Sequence, residues 1–207
     1  MDDVVLDIVP PRGFQLFRHK ANMMNNILVN VSVLTVTSTF LEGLCARFDD
    51  NEYKYMKFWL SRLREFQLIV SAESFLKPFD VVQFLRKCPF VESVFIDLGL
   101  NSFQTSLYWV FHGRQFIEDC PYLFPYIKSV KIKGFIWNEL PLAMARFFLR
   151  QAIALEWLVL VKAKNYVDSP TFTPSSIKSQ IITDAEVEIH EYMGDKSHII
   201  PTHLIDV

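Results

Sequence analysis

At five points spaced 28 to 36 residues apart, three apolar side chains fall into the frame Φ-x-x-Φ-x-Φ, where Φ is aliphatic or aromatic. The copies are Val31, Leu34, Val36; Leu63, Phe66, Leu68; Val91, Val94, Ile96; Ile127, Val130, Ile132; and Leu155, Leu158, Leu160. Residues two apart share a face of a strand. The last pair of each frame therefore predicts a short strand with an apolar inner face, and the first residue anchors the chain as it enters. Successive copies start 32, 28, 36 and 28 residues apart, which suits one strand and one returning helix or loop per turn. Such a chain stacks its turns, because no single turn buries its own apolar face.

A longer repeat lies over the short one. An offset of 64 residues superimposes the segment Phe84 to Glu92 on Phe148 to Glu156, and the segment Leu63 to Leu68 on Ile127 to Ile132. A shared offset across separated segments implies that a pair of adjacent turns is duplicated. The frame resembles that of leucine-rich repeats. The expected fold is α/β: a leucine-rich-repeat solenoid of about five strand-helix turns, with a short curved sheet and helices on the convex side.

Apolar residues make up 51% of the chain and phenylalanine alone numbers 19, so the core is easily filled and disorder is excluded for most of the length. The formal net charge is −2, too small a field to gather nucleic acid or an anionic membrane. The only local basic cluster, Lys128, Lys131 and Lys133, reads as a solvated strand face. Cys45, Cys88 and Cys120 are odd in number and lack zinc-ligand spacing, so they read as buried small hydrophobes in a reducing compartment. The start is acidic, not signal-like, and no apolar run approaches the roughly 18 residues of a membrane span. The expected location is intracellular, in nucleus or cytoplasm.

Along the chain, residues 1–27, with Pro10, Pro11 and Gly13, read as an irregular N-terminal cap or remnant. Residues 28–165 form the repeat domain, and 166–207 a tail and candidate cap in which residues 186 to 192 alternate like an edge strand. Helical spacing is expected over Phe40 to Phe48, Glu52 to Ser61, from Pro78 to the Cys88-Pro89 stop, near Ser106 to Phe111 and Gln115 to Asp119, and from Asn138 onward. In the last of these Leu142, Ala145, Phe148, Leu149 and Ala152 form one apolar stripe.

The span Lys131-Ile132-Lys133-Gly134-Phe135, then Asn138-Glu139-Leu140, then Phe148-Leu149-Arg150-Gln151-Ala152 with Leu155-Glu156 resembles the FBD-type C-terminal module of plant F-box/leucine-rich-repeat proteins. There a K-x-I-x-G-F strand precedes an N-E-L helix start and an L-L-x-x-A-x-x-L-E turn. Upstream, Leu85-Arg86-Lys87-Cys88-Pro89 with Val91-Glu92 resembles the repeat joint of the same proteins, and the likeness covers about residues 28–165. In that family the F-box joins a Skp-type adaptor and a cullin ubiquitin ligase while the repeats capture a substrate for degradation. No F-box motif is found here, so the resemblance implies capture of a protein partner with doubtful adaptor coupling.

No catalytic motif appears: there is no G-x-S-x-G elbow, H-E-x-x-H or phosphate-cradling glycine loop among only six glycines. No catalytic residue, cofactor or metal is expected. Geometry supplies the candidate site, because strand residues between the inward pairs face the concave side, where repeat proteins hold partners. The candidates are Glu65, Gln67, Phe95, Asp97, Lys131, Lys133 and Trp157, with Phe95 and Trp157 either exposed anchors or covered by the tail. A small-molecule receptor holding its ligand against Tyr108 to Phe116, or a truncated paralogue without independent function, are the alternatives.

Overall fold

The computed structural model describes residues 3–6, 28–45, 59–71, 78–99, 123–164, 177, 184–194 and 197–203. Among the described residues seven strands form one sheet: β1 (Asp3–Leu6), β2 (Val33–Thr37), β3 (Glu65–Ile69), β4 (Ser93–Asp97), β5 (Ser129–Phe135), β6 (Trp157–Lys162) and β7 (Glu186–His190). Their spatial order is their order in the chain, and every neighbouring pair is parallel. Three helices are described: α1 (Ser38–Cys45), α2 (Pro78–Leu85) and α3 (Glu139–Gln151).

The register turns the five frames into rows. Leu34, Phe66, Val94, Val130 and Leu158 align across the sheet, and Val36, Leu68, Ile96, Ile132 and Leu160 form a second row two residues on. Both rows are at most 1% exposed and share one core with the helix residues Phe40, Leu41, Val81, Phe84, Met144, Ala145, Phe147 and Phe148. The stripe expected on α3 is buried throughout, and Met144 and Phe147 widen it. Phe66 against Phe84, with ring centroids 4.8 Å apart, ties β3 to α2.

Entry into each strand repeats at the level of single hydrogen bonds. The carbonyls of Ser32, Arg64, Glu92 and Lys128 each accept two N–H groups from the next turn: Arg64 and Glu65, Glu92 and Ser93, Lys128 and Ser129, Glu156 and Trp157. One residue earlier, the first Φ of the frame donates to the carbonyl three residues back, as Val31 to Leu28, Leu63 to Leu60, Val91 to Cys88 and Leu155 to Ala152. That last pair of bonds is the 64-residue repeat made physical, since Cys88 and Val91 correspond to Ala152 and Leu155.

Three expectations are corrected or extended. The sheet has seven strands where the frames give five: β1 lies in the segment read as irregular, and β7 lies in the tail. β1 is too short to carry a frame, yet its Val4 packs against the core. The lysine cluster is not a uniformly solvated face, because Lys131 is 8% exposed. Helices expected over Glu52 to Ser61, Ser106 to Phe111 and Gln115 to Asp119 fall largely or wholly outside the described residues.

A bulge between Lys133 and Phe135 interrupts β5, and Gly134 there has φ +74°. A Cβ at Gly134 would lie 2.5 Å from the Gly99 carbonyl oxygen and 2.9 Å from its nitrogen. Both the backbone angle and the space thus demand glycine.

Two stability measurements and one chemical one check this packing. Leu158→Ala opens a cavity in a fully buried row and is expected to cost about 2–5 kcal/mol in denaturant unfolding. Gly134→Ala is expected to cost about 1–3 kcal/mol from strain alone. Cys88 is 1% exposed, and burial pushes its thiol well above the ordinary value. Peptide-mapped alkylation should therefore reach Cys88 only as fast as the chain unfolds, and rapid labelling of the native chain would contradict its burial.

Candidate functional site

Rows one, three and five of the register point away from the helix-packed core, as strand alternation requires. The first row runs Asp3, Val33, Glu65, Ser93, Ser129, Trp157 and Glu186. The middle row runs Val5, Thr35, Gln67, Phe95, Lys131, Val159 and Glu188, and the fifth begins Thr37, Ile69, Asp97, Lys133, Val161 and His190. All seven candidate residues lie on this face: Glu65 and Trp157 in the first row, Gln67, Phe95 and Lys131 in the middle, Asp97 and Lys133 in the fifth.

The middle row is nevertheless buried across β2 to β6. Thr35, Gln67, Phe95, Lys131 and Val159 are all at most 9% exposed. Residues 197–203 of the tail lie over it. Ile199 joins Phe95, Val159 and Val161 in a small apolar cluster distinct from the main core, with Trp157 packed against it. The Trp157 and His198 rings meet edge to face at 4.4 Å. Phe95 is thus covered by the tail, and Trp157 is half-buried beside it.

Polar contacts follow the same path. The Lys131 ammonium donates to Ser197 Oγ at 2.8 Å and to the Ile199 carbonyl at 3.0 Å. The Glu65 carboxylate accepts from the Thr202 N–H and from its hydroxyl, both at 2.7 Å, and Gln67 donates to the same carboxylate. His203 Nδ1 bonds Thr35 Oγ1 at 2.8 Å, and its Nε2 lies 3.8 Å from the Asp3 carboxylate. Asp97 and Lys133 pair with each other at 3.0 Å in the fifth row, and Asp97 also accepts the Gly99 N–H.

At the strand entries Glu92 lies between Arg64 at 3.7 Å and Lys128 at 2.9 Å. The hydrogen bond that Lys128 donates to Glu92, and then the charge of that carboxylate, raise the pKa of the Lys128 ammonium above its ordinary value. These groups are solvated, so the pairs contribute little to stability. Arg64 also covers the Phe90 ring, 5.3 Å from its centroid, and Phe90 packs on Tyr126.

Alternation places the candidates on one face and leaves cover by the tail as one of two alternatives, but the contacts that make the cover are not legible in the sequence. The tail residues Ser197, Ile199, Thr202 and His203 obey no repeat frame, and their hydrogen-bond partners lie 66 to 168 residues away. Pro201 alone hinted at extended backbone. The alternative site over Tyr108 to Phe116 lies outside the described residues. Among the described residues no group of three or more His, Cys, Asp or Glu could hold a metal ion, and no helix is long and apolar enough to cross a membrane.

No protein-family profile matches the chain, and no solved structure matches it. Two curated proteins of Arabidopsis thaliana do, both named FBD-associated F-box proteins. One is 30% identical over 158 residues, covering 73% of this chain and 35% of the relative; the other is 28% identical over 177 residues, covering 81% and 38%. The chain therefore spans just over a third of the length of these relatives. Similarity that runs through most of its residues, twice over, relates the chain to part of the plant F-box/FBD-type proteins.

Proposed function

We propose that this chain is a protein-binding module of the leucine-rich-repeat kind, which captures a partner through the sheet face opposite its helices and serves substrate recognition in a ubiquitin-ligase setting. The observation that carries the reading is the alignment of Glu65, Gln67, Phe95, Asp97, Lys131, Lys133 and Trp157 into contiguous rows on that face. Parallel stacking with identical strand-entry hydrogen bonds in four successive turns supports the repeat reading, because turns that contact only their neighbours build such surfaces. The ligase setting rests on the relatives' names alone. The role proposed is non-catalytic: the chain supplies affinity and orientation, and ubiquitin transfer belongs to whatever ligase it joins.

The surface has the composition of an interface. It mixes one apolar spot, a tryptophan edge, a carboxylate and ammonium groups, so orientation is set by polar contacts while the apolar centre supplies affinity.

The test separates binding from folding. Tagged chain is used for affinity capture from plant extract, with Trp157→Ala and Phe95→Ala beside it and the unfolding free energy of each variant measured in parallel. Trp157→Ala is expected to weaken capture at least ~10-fold at a stability cost of about 1 kcal/mol or less, well below that of Leu158→Ala. Equal stability losses for Trp157→Ala and Leu158→Ala would sink the assignment of faces. Adaptor and cullin subunits among the captured proteins would support ligase coupling, whereas their absence alongside other Trp157-dependent partners would favour a free-standing binder.

A further inference from the structure

Residues 197–203 touch six strands in seven residues, from Trp157 on β6 to Asp3 on β1. Six strands side by side span about 24 Å, and seven residues reach at most about 25 Å when fully extended. The segment therefore crosses the sheet as a strap on a mostly extended course, with bends at His198, Thr202 and His203. Pro201 in its middle favours that extended form. The contacts that hold it are made by side chains of the sheet: Lys131, Glu65, Thr35 and the Phe95 cluster.

The face beneath it is unlike the main core. The main core is built from aliphatic and aromatic residues, whereas three of the five buried middle-row residues, Thr35, Gln67 and Lys131, are polar. Lifting the strap returns those three to water, where polar groups are well solvated, and exposes only a small apolar spot at Phe95, Val159 and Val161. Such a face is stable covered or bare. Burial alternates along the strap itself, since Ile199 is 8% exposed while the adjacent Ile200 is 64% exposed.

We propose that the strap is a displaceable, internal stand-in for the partner, and that its footprint defines the partner's chemistry: an extended peptide segment with a branched apolar residue and, three positions later, a serine or threonine. The apolar residue seats against Phe95, Val159 and Val161, as Ile199 does. Its carbonyl accepts from the Lys131 ammonium. The hydroxyl and N–H of the later residue both donate to Glu65, as those of Thr202 do, and Gln67 steadies that carboxylate. A partner binds by replacing the strap, so the tail sets a threshold of affinity that only segments of this pattern exceed. The inference rests on the reading of this face as the partner surface and adds to it the ligand's form and its competitor.

Full-length chain and the full-length variant Ile199→Asp/Thr202→Ala are titrated with a fluorescent synthetic peptide of residues 195–207, with folding followed by circular dichroism. The released variant is expected to bind the peptide at least ~10-fold tighter than the native chain, because its own tail no longer competes. Adding Glu65→Gln to the released variant should abolish the gain. In native chain, hydrogen exchange at the Thr202 amide is expected to be at least ~100-fold faster than at Leu158, since the strap opens without unfolding the sheet. Equal peptide affinity in native and released chains, or Thr202 exchange as slow as that of the strands, would overturn the proposal by making the strap a fixed part of the fold. If the Trp157-dependent capture described above survives such a result, the strap alone is refuted; if that capture fails as well, the whole face is.

Discussion

A carbonyl shared by two N–H groups at the entry to β3, β4, β5 and β6 is the constraint from which the rest of this molecule follows. Ser32, Arg64, Glu92 and Lys128 each place that acceptor one position before a strand, and each receives the first two amides of the next turn. The bond pair fixes register without reference to side chains. Once register is fixed, period-two alternation sorts residues into rows, and the apolar rows have one face on which to meet the helices. The frame's first residue, buried at the same step in every turn, holds the acceptor in place. Local hydrogen bonding and the hydrophobic pattern therefore select the same arrangement, which is the agreement between levels that a single native state requires.

Consequences differ between the two sides of the sheet. On the helix side, rows of Leu, Val, Ile and Phe form a single continuous core, where any loss of volume is felt at once. On the other side the alternating positions carry polar groups beside a small apolar cluster, and the tail covers them through side-chain contacts. One backbone thus supports an apolar face packed by helices and a more polar face covered by the tail. The lysines illustrate this. Lys128, Lys131 and Lys133 lie within six residues of one another, yet one pairs at a strand entry, one is buried under the tail and one pairs with Asp97.

Much of the fold was legible because its signals are short and repeated. Each Φ-x-x-Φ-x-Φ frame lies where a strand forms, and the α3 stripe from Leu142 to Ala152 is buried as its spacing implies. β1 was not legible, since four residues carry no periodicity and the strand is defined by what it pairs with. The candidate face was legible for the same reason as the core, being its complement under alternation. Cover by the tail was one of two alternatives, but its contacts were not legible: Glu65 meets Thr202 at a separation of 137 residues, and no local pattern in Ser197 to His203 records a contact so distant. Gly134 stood in the sequence as part of a family-like motif, whereas its physical cause, the backbone of Gly99, is a tertiary fact.

The rows also determine where this chain tolerates a change of length. Frames recur at intervals of 28 to 36 residues, so residues gained or lost between frames alter only the return path and leave every row intact. A single residue gained between Val94 and Ile96 does the opposite. It would carry Ile96 out of the core row and move a residue of the opposite face into it, while the strands on either side kept their own alternation. Insertions and deletions in descendants of this sequence should therefore cluster between the frames, with the frames themselves invariant in length even where their residues have changed.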